Sequence, residues 1–403
     1  MTGSLMLLNF RHRLSAKLAL LSVSLVIGLL SAEFGLRQVE KARRRAIIVD
    51  ELIQPDPALG HRLPAFAPGH DANGFRNTAA PERAEIVAVG DSQTWGVNVK
   101  MEDAWPQVLG RISGRATYNM SLGGYGPLQY LVLADRALAL SPRIVVVGLY
   151  FGNDLYDAYH LAYVSEYHAA WRLTSPAPEL LRDTIMERSE SLSKSEKEFM
   201  QTFGRDQPAD WGYWLRGHTA VGRLLDRSGL WKTDAWFEVG KRWARAHPEQ
   251  GVVYETGRTR TVFHPAYRLT AVDLEDPRIA EGLRITKATL PGLKSRTDAA
   301  NVKLLVLLIP SKESAYAGAM RAQAGRLDPV YERLVAMEGR ARAEIEAQCA
   351  ASGVKCVDAL PRLSAAAAGG EQVYPQTTES HPSARGYHIL ATTVGEAIRS
   401  AGW

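Results

Sequence analysis

The rhythm of apolar and polar positions changes several times along this 403-residue chain, and the changes divide it. Leu18 to Leu36 is apolar apart from serines, glycines and Glu33. At about 1.5 Å per residue, such a helix roughly crosses a hydrocarbon core of about 30 Å. Residues 46–83 are rich in Pro, Ala, Asp and Arg and show no clear period, which predicts a connector with a turn at Gly74–Asn77. Ile86–Val89 is then a short continuous apolar run broken by Gly90, the pattern of a parallel strand buried on both faces.

From that strand to residue 154 the chain alternates. The pattern predicts a helix over Asp103–Leu109, a strand over Ala116–Asn119, a helix over Leu128–Leu140 and a strand over Ile144–Leu149. After Asp154 the alternation is lost until about residue 275. A structureless loop of that length is improbable, so a partly helical insertion is expected. It holds six of the nine tryptophans: Trp171, Trp211, Trp214, Trp231, Trp236 and Trp243. These either fill the insertion's own core or form a lid whose ring faces stack on a ligand.

The alternation then resumes, with a helix over Pro277–Leu290 and a strand over Val302–Ile309 ended by Pro310. A helix over Pro329–Cys349, a strand over Val354–Asp358, a loop over the Ala/Gly run 365–370 and a last helix over Ser383–Arg399 follow. Alternating strands and helices imply right-handed parallel βαβ units. The expected fold is a flavodoxin-like three-layer α/β/α domain with a mostly parallel five-stranded sheet, an N-terminal transmembrane helix and a long insertion. The divisions are an anchor (1–45), a connector (46–83), the first half of the α/β domain (84–154), the insertion (155–299) and the second half (300–403).

Charge alters the picture at one end. The net charge is +5, but residues 1–45 hold eight basic and two acidic side chains and so carry +6, leaving −1 for the rest. A nearly neutral globular part offers no basic stripe for nucleic acid. Basic clusters on both sides of the apolar run suit an uncleaved anchor in the cytoplasmic membrane; a cleaved signal would have Leu30 at the −3 position, a poor fit. Three Lys or Arg residues precede the span and five follow it, which leans towards a cytoplasmic C-terminal domain. The two cysteines, Cys349 and Cys356, point the other way if they are bridged, because a disulfide implies an oxidising compartment. Two buried thiols are the alternative.

The candidate chemistry lies in segments that end at one sheet edge. Ser92 follows the first strand, where open α/β sheets place ligands and where a helix N-terminus favours negative charge; the plainer reading is that it only caps the helix. The glycine-rich turn SLGGYGP follows the second strand, and Gly152-Asn153-Asp154 follows the third. Glu379-Ser380-His381 precedes the last helix. A serine needs a base, an imidazole supplies one near neutral pH, and a tetrahedral oxyanion needs N–H donors. The sequence contains no His-Glu-x-x-His, no cysteine cluster and no phosphate-binding loop, so no metal or cofactor is expected.

In this order the segments resemble the four blocks of the SGNH, or GDSL-type, esterase superfamily. Gly90-Asp91-Ser92-Gln93 is similar to the first block, with Gln93 in place of the usual leucine. Asn119–Gly124 is similar to the second, Gly152–Asp154 to the third and Glu379–Gly386 to the last. The resemblance covers residues 84–154 and about 300–399. It implies Ser92 as nucleophile, His381 as base, and an oxyanion hole from the Ser92 and Gly124 N–H groups with the Asn153 amide. Many members carry an aspartate three residues before the histidine, where this chain has Thr378. Glu379, two residues before, is then the expected acid, although some members use a backbone carbonyl.

The function so implied is a membrane-anchored serine esterase or O-acyltransferase, with its domain outside the cytoplasmic membrane and an acylated envelope glycan or other ester as substrate. A tethered, non-catalytic polysaccharide-binding subunit that keeps the fold is the alternative, and a lipase-like role in lipid metabolism is a third.

Overall fold

A computed structural model describes residues 17, 20–38, 52–205, 219–227, 235–257 and 259–403. The chain divides into two compact units, one of Asp50–Gln201 with Trp236–Trp403 and one of Met1–Val49 with Thr202–Ala235. Of the expected insertion, residues 155–201 and 236–299 thus group with the sheet and 202–235 with the N-terminal segment.

The larger unit is built on five strands, β1 (Ile86–Gly90), β2 (Thr117–Ser121), β3 (Ile144–Tyr150), β4 (Lys303–Ile309) and β5 (Lys355–Asp358). Their order is 2-1-3-4-5 and every pairing is parallel. Order and helical crossovers give the expected three-layer architecture. Strand side chains alternate between faces. Ile86, Ala88, Ile144, Val146, Leu305 and Leu307 therefore share one core with Trp105, Leu109, Tyr316, Leu363, Tyr387 and Leu390. Helices Trp105–Ser113, Leu360–Ala368 and Ala384–Ser400 lie on that side, and Pro127–Ala139, Asp154–Val164 and Pro277–Ala299 pack together on the other.

The strand and helix expectations hold to within a few residues, with three corrections. The 365–370 run is not a loop up to its end: Leu360–Ala368 is helical, because four successive alanines favour helix and Leu363 and Ala367 are buried. The helix from Pro277 does not stop at Leu290 but runs through Pro291 to Ala299, since Leu293 and Thr297 keep the buried face beyond the proline. A helix over Lys312–Ala324, absent from the sequence reading, follows β4. The connector carries a small antiparallel ribbon, Gln54–Asp56 with Gly60–Arg62.

Two tryptophan outcomes are on view. Trp243 is fully buried with Phe237, Ala244 and Val262, so it packs a core rather than a lid. Trp171 is half-buried beside Leu128, Leu161 and Ile285. Trp211, Trp214 and Trp231 lie outside the described residues. Cys349 and Cys356 form a disulfide that ties the helix Pro329–Ala351 to β5.

In the smaller unit, the helix Leu20–Gln38 is long and apolar enough to cross a membrane, and a signal sequence would meet the same criterion. The Glu33 carboxylate accepts the Ala220 and Val221 N–H groups at 2.8 and 3.0 Å, and so caps the helix Ala220–Arg227.

Candidate active site

The turn that carries Ser92 is shaped by tight packing. A Cβ on Gly90 or Gly148 would fall on Thr94, so the paired glycines at the end of β1 and within β3 let the short helix Ser92–Trp95 sit down on the sheet. Asp91 is the N-cap, accepting from the Gln93 N–H at 2.9 Å; the reading of Ser92 as a mere cap is therefore not what the fold does. The helix ends at Gly96, whose φ of +89° suits glycine. Arg76 of the connector donates to the carbonyls of Trp95, Gly96 and Val99 and holds that end in place.

Ser92 Oγ is 2.8 Å from His381 Nε2, although the two residues are 289 positions apart. Glu379 Oε1 is 2.5 Å from His381 Nδ1 and also accepts the His381 backbone N–H at 3.0 Å. A carboxylate on Nδ1 keeps the proton there and leaves Nε2 free to accept from the serine. Burial alone would push the Glu379 carboxyl up, but the hydrogen bonds and charge of His381 outweigh it and hold it at about 2. Beneath Ser92, burial raises the Asp91 carboxyl to about 6 against the Gln93 N–H bond and the nearby imidazole.

Ser92, Asn153, Glu379 and His381 line one cavity of about 570 Å³. Asn153 donates to Asp157 Oδ2 at 2.6 Å, which fixes the amide and leaves its second N–H uncommitted. The N–H groups of Ser92, Gly123 and Gly124 donate to no protein group among the described residues. Gly124 has φ +76°, and a Cβ there would meet the His61 ring at 3.4 Å. A Cβ on Gly123 would lie 3.8 Å from Ser92 Cβ.

Sequence reasoning missed several neighbours. Thr378, at the position where an aspartate is usual, donates to Glu196 Oε1, while His264 Nδ1 lies 3.0 Å from Glu196 Oε2. An aspartate at 378 would face a second carboxylate. Lys312, fully buried, donates to the carbonyls of Val262, Pro375, Thr377 and Glu379 at 2.5–3.2 Å. Burial lowers its ammonium to about 7 despite the nearby carboxylates of Glu313 and Glu379. Arg268 Nη1 donates to the Gly152 carbonyl at 2.7 Å and Nη2 to Ser380 Oγ at 2.6 Å. Partners that are mostly main-chain carbonyls leave no pattern in a sequence.

A 2-1-3-4-5 parallel sheet with Ser92, a glycine turn, Asn153 and His381 at its rim is what the resemblance to the SGNH, or GDSL-type, superfamily implies. No family model matches the chain, and no curated protein does. Solved structures similar to it include a lipolytic protein of the G-D-S-L family from Desulfitobacterium hafniense, 12% identical, covering 77% of this chain and 98% of that one, with a TM-score of 0.37. Another is the acetylxylan esterase Axe2 from Geobacillus stearothermophilus, 10% identical, covering 79% and 95%, with a TM-score of 0.37. A G-D-S-L family lipolytic protein from Veillonella parvula is 11% identical, covering 77% and 96%, with a TM-score of 0.35.

Proposed function

We propose that this chain is a serine esterase or O-acyltransferase that works through an acyl-enzyme on Ser92. The observation that carries the reading is the continuous hydrogen-bonded line Ser92–His381–Glu379 in the wall of a cavity. His381 Nε2 takes the Ser92 proton as Oγ attacks the ester carbonyl. The oxyanion is met by the Ser92 N–H, a glycine N–H of the 123–124 turn and the Asn153 amide, and Glu379 stabilises the imidazolium. His381 then protonates the leaving alcohol. Water or a second hydroxyl, deprotonated by the same imidazole, releases the acyl group.

The cavity favours a small acyl group on a polar alcohol. Glu196, His264, Arg268, Glu313, Thr377 and Thr378 line it beside the catalytic residues and the rings of Tyr150 and Tyr267, and no aliphatic side chain is among the described lining residues. An acetylated glycan meets that description. The disulfide and the apolar helix Leu20–Gln38 support a domain held on the oxidising side of a cytoplasmic membrane.

The test is labelling with a fluorophosphonate together with hydrolysis of p-nitrophenyl acetate. Wild type is expected to be labelled and active, and Ser92→Ala neither. Equal hydrolysis by both removes Ser92 from the mechanism and leaves the binding-subunit reading, which polysaccharide retention by Ser92→Ala would support. Adding a sugar hydroxyl acceptor separates transfer from hydrolysis.

A further inference from the structure

The four motif blocks leave one thing unexplained: what holds the block bearing Asn153 in register with the block bearing His381. Between β3 and the last helix lie more than 200 residues, and neither loop belongs to a regular element at the reacting atoms. Asn153 sits in the turn after β3, where a Cβ on Gly152 would fall inside the Tyr150 ring. His381 sits in an irregular segment before the helix Ala384–Ser400. A shift of either loop by a fraction of an ångström would separate the oxyanion donor from the base.

One side chain spans the gap. Arg268, on the short helix Pro265–Leu269, donates one guanidinium nitrogen to the carbonyl of Gly152 and the other to the hydroxyl of Ser380. Both acceptors are immediate chain neighbours of the residues that do the chemistry. The guanidinium lies 5.6 Å from the Tyr150 ring and 5.5 Å from the Tyr267 ring, which limit its sideways movement. A planar fork fixes the angle between its two bonds, which a lysine's single ammonium cannot do.

We infer that Arg268 is a positioning residue that sets the Asn153 amide and the His381 imidazole at working distance from Ser92 by clamping Gly152 to Ser380. The inference rests on the esterase reading above. It gives the segment between the motif blocks a part in the reaction: the residue comes from the stretch in which the sequence showed no block at all. Arg268 and Ser380 also line the cavity, but the guanidinium's bonds run to Gly152 and to Ser380, so loss of the clamp is read in kcat, whereas loss of a substrate contact would be read in KM.

Steady-state kinetics on p-nitrophenyl acetate with Arg268→Ala, Arg268→Lys and Ser380→Ala tests this. Arg268→Ala is expected to lower kcat about a hundredfold, the scale of a misplaced reacting group, with KM within about twofold. Arg268→Lys keeps a single donor and recovers part of the loss. Ser380→Ala removes one arm and costs about tenfold, and it serves alone if the Arg268 variants do not fold. Millimolar methylguanidinium is expected to raise the rate of Arg268→Ala and to leave Ser92→Ala inactive, a response that a general loss of folding would not show. A kcat within threefold of wild type in Arg268→Ala and Ser380→Ala, or a rise in KM at constant kcat, overturns the positioning role while the esterase stands. A wild-type protein that neither turns over the ester nor reacts with a fluorophosphonate overturns the esterase reading and the positioning role with it.

Discussion

Replacing Glu379 by glutamine removes the charge behind the imidazole while keeping the side chain's shape. The Glu379 carboxyl is held at about 2 against an ordinary 4.5, so the folded site favours the carboxylate. A shift of that size corresponds to about 3 kcal/mol, and since 36% of the side chain is exposed, solvent screening reduces it to about 1–2 kcal/mol. That energy is available to the imidazolium formed when Ser92 gives up its proton. Its loss alone costs roughly tenfold in kcat, and loss of the Nδ1–H tautomer can extend this towards roughly 10⁴-fold. Stability moves in the same sense. The folded value is depressed, so the contribution is fully present above pH 4.5 and is lost as pH falls towards 2. Glu379→Gln is therefore expected to melt below wild type at pH 7 and to converge on it near pH 2. Hydrolysis of p-nitrophenyl acetate from pH 5 to 9, with calorimetry from pH 2 to 7, reads both. A kcat within threefold of wild type across that range would refute the assignment of Glu379 as the acid and point to a backbone carbonyl in its place.

Asn153→Ala is expected to lower kcat by about 10²–10³-fold with little change in KM, since it removes the proposed oxyanion donor; kinetics on the same ester check it. Lys312 carries fewer protons folded than unfolded between pH 7 and 10.5, so wild-type stability gains from this group as pH rises through that window. Lys312→Met should lack that gain, which urea unfolding at pH 7 and pH 9.5 would show. Thr378→Asp places a carboxylate against Glu196 and should lower both melting temperature and kcat; adding Glu196→Gln should restore part of each. Replacing Cys349 and Cys356 together by serine opens a loop whose closure contributes about 2.5 kcal/mol, and should lower the melting temperature under non-reducing conditions only.

The strands and the candidate site side chains were legible in the linear chain because both are encoded by near neighbours. Runs such as Ile144–Tyr150 are apolar on every residue, since both faces of a parallel strand are buried, and Gly90-Asp91-Ser92 or Ser380-His381-Pro382 are short words with one chemical sense. The helix over Leu360–Ala368 was hidden by small residues that serve a turn or a tightly packed helix equally well; burial of Leu363 and Ala367 decided it. Likewise Pro291 reads locally as a stop, and only the face buried beyond it keeps the helix going.

The chain's own order determined which groups could act and on which edge of the sheet they would lie. Three-dimensional packing decided which of them meet: that Glu379 reaches Nδ1 while Thr378 turns to Glu196, and that Lys312 and Arg268 brace the loops. The reason is physical. A buried cation satisfied by carbonyl oxygens draws on a group that every residue possesses, so its partners are chosen by folded geometry and leave no mark on the identity of the amino acids that supply them.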